Sequence, residues 1–180
     1  MPIVRGKDIE VLYSASAIAR RNLELAKEIA SRDYHDLLVI SVLKGSFIFA
    51  ADLIRAMHDV GLSPEVEFIF ISSYGAGTTS GEVRVLRDID NDVAGRDVLL
   101  IDDILESGKT LAFTRKLMME RGAKSCSIAV LLDKRMRRQA DLEADYVGFD
   151  CPDHFVVGYG MDVAHAFREL PFVGVVKGDA

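Results

Sequence analysis

The apolar positions Ile18, Leu25, Ala26 and Ile29 fall on one side of a helical projection, and Arg20, Arg21, Glu24, Lys27 and Glu28 fall on the other. The pattern predicts an amphipathic surface helix capped by Ser14 or Ser16. Residues 37–42 read LLVISV, a run without a polar face, which predicts a strand covered on both sides. Lys44, Gly45 and Ser46 make a turn, residues 47–58 return to helical spacing before Gly61, and residues 66–71 read as the next strand. The stretch 72–81, SSYGAGTTSG, is almost free of apolar side chains. It predicts a mobile excursion long enough to serve as a lid, hinged at Gly75, Gly77 and Gly81. Residues 82–87 alternate as a half-exposed strand, 98–101 form an apolar strand running into Asp102 and Asp103, 110–121 are helical up to Gly122, and 127–132 form another buried strand.

Strand and helix alternating in this way predict an α/β fold: a mostly parallel, twisted sheet flanked by helices, with ligands beyond the carboxyl ends of the strands. The tail carries YVGF, FVVG and FVGVV around a Pro152 turn. From about residue 145, together with N-terminal residues, it predicts a small hood. Neither repeat nor linker interrupts residues 1–180, so one domain is expected. The length of 180 residues is enough for it to bury about two thirds of its unfolded surface.

Composition narrows the function. With 49% hydrophobic and 28% charged residues the chain is globular. Its net charge of -6 disfavours a broad nucleic-acid surface, so no nucleic acid is expected as partner. Arg5, Lys7, Asp8 and Glu10 interrupt any signal-peptide core, and the apolar run near Phe47 breaks at Asp52, far short of the roughly 20 residues a membrane span needs. No membrane partner is expected, and with only Cys126 and Cys151 there is no disulfide framework; a cytoplasmic protein is the expectation. The four histidines show no metal-ligand spacing and read as surface or packing residues.

The segment VLLIDDILESGKTL at 98–111 carries the chemistry. Its GKT is no nucleoside-triphosphate loop, because that motif needs glycine five residues before Gly108 and Asp103 stands there. What remains is an acidic pair at a strand end, then a Ser-Gly-Lys-Thr turn opening onto a helix N-terminus, where amides and the Ser107 and Thr110 hydroxyls suit a phosphate monoester. The carboxylates suit sugar hydroxyls or a divalent cation. A ribose 5-phosphate satisfies both ends.

This segment resembles the signature of the type I phosphoribosyltransferases: a hydrophobic strand, two acidic residues, two further positions, an acidic residue, Thr or Ser, Gly, any residue, Thr. The resemblance extends through LKGS at 43–46, SSYG at 72–75, LLDK at 131–134 and DYVGFDCPDHFVVGYGMD at 145–162, and so covers nearly the full length. It narrows to the purine-salvage branch, which moves the phosphoribosyl group of phosphoribosyl pyrophosphate to hypoxanthine or guanine, a pentosyl transfer giving IMP or GMP and pyrophosphate. The resemblance implies that Asp102 and Asp103 hold the ribose hydroxyls and approach one Mg²⁺, and that Asp162 serves a second. It further implies that Ser107, Gly108, Lys109 and Thr110 hold the 5-phosphate, and that Lys44, in a strained turn with a non-proline cis bond after Leu43, and Arg168 contact pyrophosphate. Gly45 and Tyr74 join the substrate site, Tyr74 within the lid. Lys134 donates to the purine 6-oxo group, Phe155 stacks on the base, and Val156 offers backbone groups to its edge.

Glu106 stands where the family usually has Asp as general base near purine N7, and Asp102 where it more often has Glu. The extra methylene of Glu106 requires a shifted loop or an intervening water. Homodimers or homotetramers are implied. Two alternatives stay open: a protein of this fold that binds RNA through Arg135, Arg137 and Arg138, and a xanthine-guanine or pyrimidine phosphoribosyltransferase. Without the first of these, the three arginines read as a solvated loop.

Overall fold

The computed structural model describes residues 1–74 and 82–178. Two short strands, β1 (Ile3–Val4) and β2 (Lys7–Tyr13), lead into helix α1 (Ala15–Ala30). The chain then forms β3 (Leu38–Leu43), α2 (Phe47–Asp59), β4 (Glu65–Tyr74), β5 (Glu82–Arg87), β6 (Asp97–Leu105), α3 (Lys109–Glu120) and β7 (Ser125–Asp133). A 3-10 turn at Arg135–Arg137 is followed by β8 (Tyr146–Asp150), β9 (Val156–Val157) and β10 (Val173–Val176). Ser14 is the cap of α1, its Oγ accepting from the Ala17 amide at 3.2 Å.

The main sheet has six strands in the order β5-β4-β3-β6-β7-β8. Every neighbouring pair is parallel except β4 with β5. Successive residues of β3 and β6 point to opposite faces and both sets are apolar, which is why these strands show no alternation. Val39, Leu99 and Ile101 pack against Ile18 and Leu25 of α1 and Phe49 and Leu53 of α2. Leu38, Ile40, Val98 and Leu100 face the other way, onto Leu111 and Met118 of α3. Each such fully buried side chain contributes about 2 kcal/mol. A second, antiparallel sheet, β1-β2-β10-β9, forms the hood. Tyr13 of β2 stacks on Phe149 of β8 with ring centroids 4.2 Å apart and donates to the Asp150 carbonyl, fixing the hood to the main sheet.

Three expectations change. YVGF is no part of the hood: as β8 it extends the main sheet, parallel to β7, and the connection between them carries only the 3-10 turn where an α-helix would have signalled a parallel crossover. The acidic pair does not end its strand, since β7 is long enough to keep pairing with β6 as far as Leu105 and the backbone ladder carries past the charged side chains. Ser72, Ser73 and Tyr74 are strand residues paired with Arg84, Val83 and Glu82. The rest of the expected lid, 75–81 with Gly75, Gly77 and Gly81, lies outside the described residues. Among the described residues no helix is long and apolar enough to cross a membrane.

Candidate active site

Parallel strands deliver their carboxyl ends to one edge of the sheet, and β3, β6 and β7 each end there in a turn that carries residues singled out from the sequence. After β3 the peptide bond between Leu43 and Lys44 is cis, as the resemblance implied. The turn is locked by Ser46, buried, whose hydroxyl donates to the Val42 carbonyl and lies 2.9 Å from the Ser41 hydroxyl. Gly45 backs onto β6 so closely that a Cβ would collide with the Asp103 carboxylate. A Cβ on Gly160, which has φ +95°, would in turn lie 2.6 Å from the Gly45 carbonyl oxygen. The segment after β9 thus approaches the Lys44 turn through backbone, and that turn abuts the Asp103 side chain of β6.

After β6 the chain turns at Gly108, whose φ of 82° favours glycine, and enters α3. Asp102, Glu106, Ser107, Gly108 and Thr110 line a cavity of about 180 Å³. A larger one, about 310 Å³, adjoins it and is lined by Asp103, Ile104, Glu106, Lys134, Arg137, Asp153, His154, Phe155, Val156, Met161 and Asp162. Glu106 belongs to both. Its Oε1 lies 3.8 Å from Lys134 Nζ and 3.9 Å from Arg137 Nε. The Lys134 side chain is only 6% exposed, whereas Phe155 is 68% exposed and presents a free ring.

A small cavity walled by hydroxyls and a helix N-terminus, opening beside carboxylates onto a larger one with a buried ammonium and an aromatic ring, fits a sugar phosphate joined to a flat base. The sequence bears this out at the level of family, because residues 8–164 match the phosphoribosyl transferase domain. The chain belongs to the phosphoribosyl transferase family. It is 49% identical over 174 residues to hypoxanthine-guanine phosphoribosyltransferase of Bacillus subtilis (strain 168), covering 94% of each chain. It is 42% identical to hypoxanthine phosphoribosyltransferase of Escherichia coli (strain K12), over 93% of this chain and 95% of that one. A hypoxanthine phosphoribosyltransferase from Staphylococcus aureus superposes with a TM-score of 0.87 at 41% identity, over 93% of this chain and 91% of that chain. The mostly parallel sheet with three helices is thus a phosphoribosyl transferase fold, and the protein is a transferase.

Not every residue singled out from the phosphoribosyl transferase resemblance reaches the cavities. The Lys44 ammonium lies over the Phe70 ring, 5.3 Å from its centre. Lys109 is exposed and contributes its amide, which bonds the Ser107 hydroxyl at 3.3 Å. Arg168 Nη2 lies 3.2 Å from Asp162 Oδ1, and its Nη1 donates to the Gly160 carbonyl at 2.7 Å. Tyr74 is described only as a strand residue.

Sequence reading missed Arg137, Asp153 and His154 on the base-side wall. It also placed the three arginines in a solvated loop, and Arg138 is instead 14% exposed. Arg135 and Arg137 do sit outside, but each is paired: Arg135 Nε lies 3.1 Å from Asp133 Oδ2, and Arg137 Nε 3.0 Å from Asp153 Oδ1. One signal for Arg138 was present, since an Asp closing an apolar run such as LLD must find a cation once buried.

Burial, reinforced by the neighbouring charge of Asp103, holds the Asp102 carboxyl well above the usual carboxylate range. A carboxyl raised by folding lowers stability at neutral pH and ceases to do so as pH falls to where an unfolded carboxyl protonates. Asp102→Asn is therefore expected to raise the melting temperature of the ligand-free protein at neutral pH, with the gain shrinking toward about pH 4. Thermal melts across that range check it, and a variant that melts below wild type at neutral pH contradicts it.

Proposed function

We propose that this protein transfers the 5-phosphoribosyl group of phosphoribosyl pyrophosphate to hypoxanthine, and to guanine, releasing pyrophosphate and forming IMP or GMP. The observation that carries the reading is Glu106 standing between a phosphate-sized cavity and a base-sized one that contains the buried Lys134. An ammonium has three donors and no acceptor, so it matches a 6-oxo group and leaves the 6-amino group of adenine unmatched. Phe155 supplies the stacking face and Val156 the backbone groups at the base edge. Ser107, Gly108, Lys109 and Thr110 hold the 5-phosphate, and the acidic pair steadies the ribose hydroxyls. As the bond from C1 to pyrophosphate breaks, positive charge develops on the sugar and Glu106 accepts the proton shed by the purine. Lys44 and Arg168 are assigned to the departing pyrophosphate on the strength of the resemblance alone.

The donors suit magnesium. Among the described residues no group of three or more candidate ligands gathers, and Mg²⁺ binds through one or two carboxylates together with waters and substrate oxygens. Asp103 and Asp162 line one cavity, and the Asp162 Oδ2 already accepts from the His165 amide at 2.7 Å, which fixes its direction. Magnesium held by Asp102 and Asp103, and by Asp162, would offset the negative charge of the pyrophosphate. We read the chain as one domain with a hood, acting in the cytoplasm, where its two free thiols stay reduced, as a dimer or tetramer whose mass light scattering would give.

A product assay tests the reading, with phosphoribosyl pyrophosphate, Mg²⁺ and a panel of hypoxanthine, guanine, xanthine, adenine and uracil. IMP and GMP are expected with stoichiometric pyrophosphate and no adenine or uracil product. Preference for xanthine or uracil, or no nucleotide at all, would overturn it.

A further inference from the structure

Two successive carbonyls of the loop after β6 are held from behind by one short segment. The Glu106 carbonyl accepts from Arg138 Nε at 3.0 Å, and the Ser107 carbonyl accepts from both the Gln139 and Ala140 amides at 2.9 Å. A trans peptide is planar, so a carbonyl pointing one way sends the next residue's N–H the other way. The Ser107 and Gly108 amides are therefore turned away from 138–140, on the side where the small cavity opens. Packing agrees: a Cβ on Gly108 would lie 3.2 Å from Ala140 Cβ and 3.3 Å from Arg138 Cδ.

Arg138 spends every nitrogen in this arrangement. Nη1 donates to the Leu142 carbonyl at 2.6 Å and Nη2 pairs with the Asp133 carboxylate, whose side chain is fully buried at the end of β7. All three nitrogens are thus turned to groups of the protein, and a buried pair of this kind is held rigidly because either partner alone would be an uncompensated charge. We infer that Arg138, anchored by Asp133, is a positioning residue for the phosphate end of the donor: it sets the Glu106–Ser107 peptide so that amide hydrogens face the smaller cavity. The inference rests on the proposed function and adds to it two residues that never touch the reacting atoms.

The Gln139 and Ala140 amides survive any side-chain change, so Arg138 is the part of the clamp that substitution can remove. Arg138→Lys keeps a cation beside Asp133 but cannot reach Asp133 and the Glu106 carbonyl together. Its KM for phosphoribosyl pyrophosphate and its calorimetric Kd for ribose 5-phosphate are expected to rise about tenfold, while KM for hypoxanthine stays within about twofold. The double variant Asp133→Asn/Arg138→Met removes both buried charges and should show the same split, which guards against a misfolded single variant. A donor KM like wild type in either variant, or donor and base KM rising by the same factor in a protein with altered melting, overturns the inference. Failure of the functional reading looks different, because wild type would then form no nucleotide from any base.

Discussion

Glu106→Gln is expected to lower kcat by at least about a hundredfold while KM for phosphoribosyl pyrophosphate stays within about twofold. The substitution keeps size and hydrogen-bonding reach but removes the ability to take a proton. Glu106 lines both cavities, so it is the carboxylate placed between the sugar phosphate and the ring nitrogen that must lose its hydrogen. Lys134 and Arg137, 3.8 and 3.9 Å from its Oε1, flank it without closing on it, which leaves the carboxylate free to meet a base. The amides and hydroxyls proposed to hold the phosphate are not altered by the substitution. Steady-state kinetics with hypoxanthine, alongside donor binding by calorimetry, separates the two effects. Near-normal turnover would assign proton acceptance to another group.

Lys134→Met should cost about a hundredfold in kcat/KM for hypoxanthine and narrow the preference over adenine. Its ammonium is buried, its backbone amide is tied to the Leu105 carbonyl at 2.9 Å, and so the donor is fixed in place by β6 and β7 together. Methionine fills much of the same volume without a donor, so the 6-oxo group would enter an apolar wall unpaired. Adenine loses nothing by the change, since it had no acceptor to offer there. Competing-substrate assays with the two bases measure the ratio, and an unchanged ratio would place base selection elsewhere on the cavity wall.

What the sequence displayed and what it concealed divide along physical lines. Strands β3, β6 and β7 were legible because double-sided burial leaves an uninterrupted apolar run, and α1 because half-burial leaves a 3.6-residue stripe. The turn from β6 into α3 was legible because its glycine, hydroxyls and acidic neighbours are contiguous. The extent of β6 was not, since a parallel partner can hold a backbone in line whatever its side chains carry. β8 was misplaced because its neighbour in space, β7, is joined to it without the helix that usually marks a parallel crossover. Arg138 was hidden within KRMRR, where composition says solvent and only the buried Asp133 across the turn decides otherwise. Lys44 shows the converse: the turn after β3 was legible, but the resting position of the lysine head over Phe70 is a matter of tertiary packing.

The two cavities differ in how many pieces of chain build them. The smaller is made within one unbroken stretch between Asp102 and Leu111, whereas the larger borrows from that stretch, from the turn after β7, from the approach to β9 and from the segment that follows it. Inheritance can therefore treat them separately. On the proposed reading, a lineage could shift its taste from one nucleobase to another by rewriting the scattered contributors one at a time, provided it spares the stretch from Asp102 to Leu111 and the Arg138 segment that braces it.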